Sequence, residues 1–150
     1  MKKFGIAVVA ALMLPVTAFA AEGGTEAEAV ALVKQVVADI KANGAEKVYA
    51  EINTGTSKYV DRDLYPFISD LKGLVLAHGV NAKLVGKDAS ENQDVDGRMY
   101  VKERLEMLKT QQSFWHEYKF SNPTTKKIEA KRVYCEGLPA SVVCVGVYKH

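Results

Sequence analysis

Apolar positions recur with helical spacing in the first part of the chain. Thr25 and Glu28 have the spacing of a capping box, in which each residue satisfies a backbone N–H of the other at a helix start. From there to Ile40 the apolar residues repeat every three or four positions, and the Asn-Gly pair at 43–44 indicates a stop or a kink. The same spacing resumes over 45–52. The pattern therefore predicts two helical segments that pack one apolar stripe on a sheet.

A β-hairpin is predicted at the centre of the chain. Short apolar strands over 65–69 and 74–78 flank a turn that ends in Gly73, and glycine accepts the positive φ of such a turn at little cost. A long polar connection follows over 79–97, and long loops in small domains often cover binding sites. The rest of the chain is expected to cover this hairpin and to extend its sheet.

One more helix and three more strands are predicted after this connection. The helix spans 98–110, with Val101, Leu105 and Leu108 as its buried stripe. Because hairpins connect most strands and helices occur at the start and in the middle, we predict an α+β domain with a mainly antiparallel sheet. Turn-forming residues separate the last three strands, which span 113–120, 128–136 and 141–148.

The N-terminus has the pattern of a secretory signal peptide. Two lysines precede an apolar segment over 4–14, and the small-x-small residues at 18–20 form a cleavage site. A retained membrane anchor is the alternative, but the apolar run is shorter than the roughly 20 residues that span a bilayer. We predict a signal peptide over 1–20 and a single domain over 25–150, periplasmic or secreted, with no stable membrane insertion after cleavage.

The charge balance argues against a nucleic-acid partner. The chain has 20 basic and 18 acidic side chains, and two of the lysines lie in the predicted signal peptide. The rest of the chain is therefore near neutral. Proteins that bind a phosphate backbone normally carry an excess of Lys and Arg on one face.

The motifs of common catalytic and cofactor sites are absent from the sequence. It contains no GxSxG nucleophile elbow, no HExxH zinc motif, no glycine-rich phosphate loop and no CxxCH haem motif. The acidic residues of the 79–97 connection lack the order of an EF-hand calcium loop. We therefore expect no enzyme activity, no cofactor and no metal site.

Two cysteines, Cys135 and Cys144, are predicted to form a structural disulfide. An even number of cysteines in an exported chain favours a bridge. If the two residues lie opposite each other on paired strands, the midpoint falls at Pro139-Ala140, where a turn is expected. A redox pair or a metal site is the alternative, and neither CxxC spacing nor a histidine cluster supports it.

This pairing sorts the strand residues onto the two faces of the sheet. It places Lys131 opposite Tyr148, and a turn counted over 121–127 adds Trp115 and Glu117 to the same face. A register slip of one residue would exchange the two faces. The other, more apolar face collects His116, Tyr118, Arg132, Tyr134, Val143, Val145 and Val147.

Four stretches of the sequence resemble the single Cache domain of bacteria. In chain order they are YPFISDLKGLVLAH with AKLVGKD, DGRMYVKE, FWHEYKFSNPTTKKIEAKRVYCE and VVCVGVYK. The resemblance implies a PAS-like five-stranded antiparallel sheet behind a long N-terminal helix, with a small-ligand pocket between the sheet and its covering loops. It also implies an extracytoplasmic sensor, since members of this family serve as the sensing part of chemoreceptors or kinases.

Six side chains are candidates for binding a small ligand. The two cationic ones suit an anion such as a short carboxylate, because hydrogen bonds to a charged group are about twice as strong as neutral ones. The tyrosines offer hydroxyl donors, the tryptophan a pocket wall, and the histidine a donor beside the long loop. Packing or a solvent-exposed position is the alternative for each of them. The candidates are His78, Trp115, Tyr118, Lys131, Arg132 and Tyr134.

The function predicted from these features is a periplasmic small-molecule sensor for a small organic anion. Because no output domain follows the last predicted strand, we expect a stand-alone protein that passes ligand occupancy to a separate membrane receptor or histidine kinase. One alternative is a protein-interaction module that docks on a membrane sensor without a ligand of its own. A small hydrolytic enzyme is the other alternative.

Overall fold

The computed structural model describes residues 23–55 and 58–149, which fold around a five-stranded antiparallel sheet. The strands are arranged in the order β2-β1-β5-β4-β3, so β2 and β3 form the edges. The predicted α+β fold class is confirmed, and the predicted signal peptide over 1–20 lies outside the described residues. The helices are α1 (Glu26–Asn43), α2 (Ala45–Asn53) and α3 (Tyr100–Leu108), with a short 3-10 helix over Ala82–Leu84. The strands are β1 (Pro66–Asp70), β2 (Val75–His78), β3 (Ser113–Ser121), β4 (Ile128–Gly137) and β5 (Ser141–Tyr148).

Helices α1 and α2 form a layer over one face of the sheet. Thr25 caps α1 as predicted: its side chain accepts a hydrogen bond from the Glu28 backbone N–H at 3.2 Å, and the Glu28 carboxylate accepts one from the Thr25 N–H at 2.8 Å. Gly44, with a φ of 87°, then ends α1 and begins α2. Glycine adopts this φ at little cost, and the predicted break between two helical segments is confirmed.

The helix layer buries an aliphatic core against the sheet. Val33 and Val36 of α1 and Ile52 of α2 are fully buried in one cluster with Val143 and Val145 of β5. Full burial of such a side chain contributes about 1.5–3 kcal/mol. These contacts hold the helix layer in place. No helix among the described residues combines the length and apolarity that a membrane crossing requires.

The opposite face is covered by α3 and by the long connection between β2 and α3. Its core includes Phe114, Val133 and the disulfide between Cys135 and Cys144, which joins directly opposed positions of β4 and β5. The predicted disulfide is confirmed. The connection and α3 enclose the candidate site on this face of the sheet.

The predicted pairing of β4 with β5 is confirmed, whereas the predicted position of β3 is wrong by one residue. Lys131 pairs with Tyr148 as expected. The predicted turn included Ser121, but Ser121 is the last residue of β3 and pairs with Ile128. The reason is Asn122, which is buried and closes the connection with its own backbone and side-chain hydrogen bonds.

This slip exchanges the faces of the β3 side chains. Tyr118 pairs with Lys131 and shares its face, as does His116 two positions away. Trp115 and Glu117 point to the opposite side of the sheet, toward the helix layer. The sequence-based assignment had placed these four β3 side chains the other way round.

Candidate ligand-binding site

A cavity of about 210 Å³ lies between the sheet and its covering elements. Strands β1 to β4 form its floor, and the long connection and α3 form its roof. Pockets for drug-sized ligands begin at about 300 Å³, so this volume suits a molecule of a few heavy atoms. Its apolar lining includes Phe67, Val75, Leu84, Tyr100, Val101 and Phe120. Its polar lining is Ser69, His78, Lys87, Asp88, Asn92, Arg104, Tyr118 and Lys131.

Lys131 projects from β4 into this cavity and is 1% exposed. Its Nζ donates a hydrogen bond to the Tyr65 hydroxyl at 2.8 Å and lies 4.7 Å from the centre of the Phe67 ring. Within the described parts of the chain it forms no salt bridge. Burial lowers the pKa of Lys131 well below its usual value, and repulsion from Arg104 adds to the effect, which Asp63 partly opposes.

The strand next to β4 makes room for this lysine. Gly146 of β5 has no side chain, and a Cβ at this position would collide with Cε of Lys131. The hydroxyl that Lys131 contacts is itself fixed, because Tyr65 and Tyr148 are hydrogen-bonded at 2.8 Å and Tyr148 donates to the Ser121 carbonyl at 2.8 Å. Tyr65 is therefore the donor to Tyr148, and its oxygen accepts from Lys131.

Arg104 brings a second cation to the cavity from α3. It is 3% exposed, and its guanidinium carbon lies 5.0 Å from the centre of the Phe67 ring. One Nη donates to the Tyr118 hydroxyl at 3.4 Å, whereas Nε has no hydrogen-bond partner among the residues that the structure describes. Because Lys131 and Arg104 both line a cavity of only about 210 Å³, one small molecule in it can contact both side chains.

His78 and Ser69 add uncharged donors. The His78 Nδ1 accepts backbone N–H groups from Asn81 at 3.1 Å and from Val80 at 3.4 Å, so the ring carries its hydrogen on Nε2. Burial, with a smaller contribution from Lys131, lowers the pKa of His78 to about 3 and keeps it neutral. The buried Ser69 hydroxyl has no partner in residues 23–55 and 58–149.

The structure divides the six predicted ligand-binding residues into two groups. His78, Tyr118 and Lys131 line the cavity together. Trp115, Arg132 and Tyr134 lie outside it, on the face covered by the helices.

Contacts on the helix side account for this second group. Arg132 pairs with Glu26 of α1 at 2.6 Å, and its guanidinium lies 4.9 Å from the centre of the Trp115 ring. The Tyr134 hydroxyl donates to Glu136 at 2.9 Å. Arg132 therefore connects α1 to the sheet, and Trp115 and Tyr134 pack against the core that the helices share with the sheet.

Arg104 is the main cavity residue that sequence reasoning missed. The predicted stripe of α3 was Val101, Leu105 and Leu108, whereas the structure buries Tyr100, Val101 and Arg104 most deeply. The spacing contains the signal, since Arg104 lies four positions after Tyr100 and three after Val101 and so shares their face. An arginine is normally assigned to the exposed face of a helix, and this hid the signal.

Asp94 of the long connection fixes the conformation of the loop and joins it to β3. The Asp94 carboxylate accepts backbone N–H groups from Asp96, Arg98 and Lys119 at 2.9–3.0 Å. In the described portion of the chain, no cluster of three or more His, Cys, Asp or Glu residues has a metal-binding arrangement.

Solved structures of chemotaxis and chemosensory proteins share this fold. A methyl-accepting chemotaxis protein from Vibrio parahaemolyticus RIMD 2210633 superposes with a TM-score of 0.69 and 22% identity, over 82% of this chain and 87% of that chain. A periplasmic sensor domain of a chemotaxis protein has a TM-score of 0.64 and 22% identity, over 83% of this chain and 90% of that chain. A third structure, whose description is the structural basis for carboxylic acid recognition by a Cache chemosensory domain, has a TM-score of 0.64 and 20% identity. The match covers 83% of this chain and 88% of that chain.

A family model, rather than an individual relative, identifies the family of this chain. A search of curated protein sequences returned no match. The family model described as single Cache domain 2 matches residues 3–149, nearly the whole chain. The match agrees with the sheet, the helix layer and the enclosed cavity described above, and the chain belongs to the single Cache domain 2 family.

Proposed function

We propose that this protein is an extracytoplasmic sensor that binds a small organic anion, most simply a short carboxylate, in the cavity between β1–β4 and α3. The observation that carries the proposal is the pair of buried basic side chains. Lys131 and Arg104 line one cavity, and neither has a carboxylate partner among the described residues. Burying an unpaired cation is costly, and an anionic ligand would supply the missing partner.

The donors around the cavity suit a carboxylate. The Arg104 guanidinium can bind two carboxylate oxygens in parallel, and Lys131 Nζ can donate to one of them. The Nε2–H of His78 and the hydroxyl of Ser69 add neutral donors. The apolar lining leaves space for a short carbon chain. The similar Cache domain described as recognising a carboxylic acid supports the same ligand class.

The ligand size limits the affinity. A four-heavy-atom acid can gain at most about 1.5 kcal/mol per atom, or about 6 kcal/mol in all, which corresponds to a dissociation constant of tens of micromolar. We therefore expect a sensor for a metabolite that is present at micromolar concentration or above.

Thermal unfolding against a panel of short carboxylates, amino acids and purines tests the proposal. We expect at least one carboxylate to raise the melting temperature, Arg104→Met to abolish this rise and Lys131→Met to reduce it. Lys102→Met is the matched control, because Lys102 lies on the exposed side of α3, and it should retain the full response. Stabilisation by no carboxylate, or an equal response in all three variants, would refute the assignment.

We extend the proposal to signalling without turnover. Occupancy of the cavity would be read by a separate membrane receptor or histidine kinase, and the two similar structures from chemotaxis proteins support a signalling role. The bound carboxylate should be recovered chemically unchanged by NMR after long incubation. Association with a purified receptor or kinase should differ between the empty and the carboxylate-bound protein, and association that ignores the carboxylate would contradict this extension.

A further inference from the structure

We propose that the cavity takes up one proton together with its carboxylate, and that Lys131 is the group that accepts the proton. This inference rests on the proposed function. It makes the cavity a site for an anion and a proton that bind jointly, rather than a fixed cationic site.

Four aromatic rings, whose centres lie 4.2–5.3 Å from Lys131 Nζ, favour its charged form. Apart from Asp63, the titratable groups around it do not. Arg104 of α3 repels it, and His78 of β2 is neutral. The hydroxyls that face it are un-ionised near neutral pH, because burial raises the pKa of each phenol. These are Tyr65 before β1, Tyr118 of β3 and Tyr148 of β5.

Asp63, in the segment before β1, is the one acidic group that affects Lys131 in the described structure, and its effect is smaller than that of burial or of Arg104. Within residues 23–55 and 58–149, the Nζ of Lys131 forms a single hydrogen bond, to a neutral hydroxyl. We infer that Lys131 is largely a neutral amine while the cavity is empty.

A bound carboxylate reverses this balance. Because both residues line a cavity of only about 210 Å³, an anion bound to Arg104 inside it lies near Lys131 Nζ, opposes the repulsion from the guanidinium and attracts a proton to the amine. Between the pKa of Lys131 in the empty protein and its higher pKa in the complex, binding therefore consumes up to one proton. The affinity should fall by up to tenfold per pH unit across that window and be constant below it.

Other groups in the cavity are poor proton acceptors. His78 already carries a hydrogen on Nε2, and a proton on Nδ1 would break its hydrogen bonds with Val80 and Asn81. The Arg104 guanidinium has only N–H donors and no acceptor. The Tyr65 hydroxyl donates a hydrogen bond to Tyr148 and accepts one from Lys131, so both its hydrogen and its oxygen already have partners. Lys87 and Asp88, which line the cavity from the long connection, are exposed to solvent, and a backbone hydrogen bond from Ser90 lowers the pKa of Asp88. Lys131 is left as the acceptor.

Calorimetric titration of acetate, propionate, pyruvate and succinate, in HEPES and in Tris at pH 7.5, tests the inference. These buffers release their protons with different heats, so proton uptake makes the apparent binding enthalpy depend on the buffer. We expect uptake between zero and one proton, and weaker binding at pH 9 than at pH 7. Equal enthalpies in the two buffers with constant affinity would overturn the inference and leave the proposed function standing. Binding by none of the four acids would overturn both.

Two further measurements assign the proton. Lys131→Met should abolish the uptake, and Lys102→Met should retain it. If Lys131→Met does not fold, the 13Cε shift of Lys131 in labelled wild-type protein reports the same event. It should move from the amine value to the ammonium value when propionate, or the tightest of the four acids, is added at pH 7.5. A Lys131 signal that already has the ammonium value in the empty protein would overturn the assignment.

Discussion

Lys131 and Arg104 are buried basic side chains that folding stability alone does not favour. The helix-facing Arg132 pairs with Glu26 and is partly exposed, whereas the two cavity cations depend on aromatic rings and on single hydroxyl contacts. Residues kept for binding often reduce stability in this way. The contrast between Lys131 and Arg132, which are adjacent in sequence, follows from strand alternation alone.

Replacing Lys131 by methionine should stabilise the ligand-free protein. Methionine fills similar space without burying a polar nitrogen, and a gain of about 1–3 kcal/mol is expected because the desolvation cost of the amine disappears. Urea unfolding at pH 7, with Lys102→Met as the near-neutral control, measures it. A loss of stability in Lys131→Met would mean that the amine contributes to folding rather than to binding.

His116 should make the protein sensitive to acid. It is 5% exposed, neither ring nitrogen has a partner among the described residues, and burial, with smaller contributions from Arg104 and Arg98, lowers its pKa to about 3. The unfolded chain binds the histidine proton near pH 6.5 and the folded chain resists it down to about pH 3. Stability is therefore lost as the pH falls through this window, and His78 behaves in the same way.

On unfolding in acid, His116 and His78 each bind one proton, and the variant His116→Phe should remove the first of these. The free energy of unfolding should then depend on pH less steeply, by about 1.4 kcal/mol per pH unit near pH 5. Urea unfolding between pH 6.5 and 4.5 measures the slope of the free energy of unfolding against pH. The contribution of the Asp and Glu side chains is the same in both proteins and cancels in the comparison with wild type. Parallel slopes in the two proteins would show that His116 is protonated in the folded state.

Among the secondary-structure elements, those with local end signals were predictable from the sequence. The Thr25–Glu28 capping box and Gly44 fix the limits of α1 within the chain itself. The position of β3 depends instead on Asn122, whose buried hydrogen bonds set the length of the connection to β4. The sequence does not show whether an asparagine in a turn is buried or exposed. The predicted turn between β3 and β4 was therefore too long by one residue.

The same reasoning explains which site residues were predictable. Lys131 was placed correctly because its strand register follows from the disulfide. Arg104 was missed because its burial depends on the cavity that it lines, and a cavity is a property of several packed elements together. Tyr118 was chosen for its hydroxyl, but its predicted face was wrong.

Asn53 connects α2 to the edge strand β2 at the site. Its side chain accepts from the His78 backbone N–H at 2.9 Å and donates to the Leu76 carbonyl at 3.3 Å. Asn53→Ala should therefore loosen β2, with faster hydrogen exchange at His78 and weaker carboxylate binding. Asn43→Ala, at the exposed end of α1, is the control. Unchanged exchange at His78 in Asn53→Ala would contradict this role.

In the whole molecule, the two faces of one sheet have separate roles. The helix-covered face holds the aliphatic core, and the other face combines the disulfide with the cavity. This division allows the cavity to hold unpaired polar groups, because most of the apolar burial lies elsewhere.

The disulfide should contribute strongly to the stability of the cavity face. Cys135 and Cys144 close a short loop through the β4–β5 turn, and the chain-entropy relation gives about 2.7 kcal/mol for a loop of about ten residues. Replacing both cysteines by alanine should lower the free energy of unfolding by at least this amount, as measured in urea against the oxidised wild type. An unchanged unfolding midpoint would show that strand pairing alone is sufficient.

A crystal structure with the carboxylate that stabilises the protein most would test the central claim directly. The account predicts one carboxylate in the cavity, with its oxygens within hydrogen-bond distance of the Arg104 guanidinium and of Lys131 Nζ. A cavity that contains only water while the carboxylate binds elsewhere, for example beside Arg132 on the helix face, would contradict it.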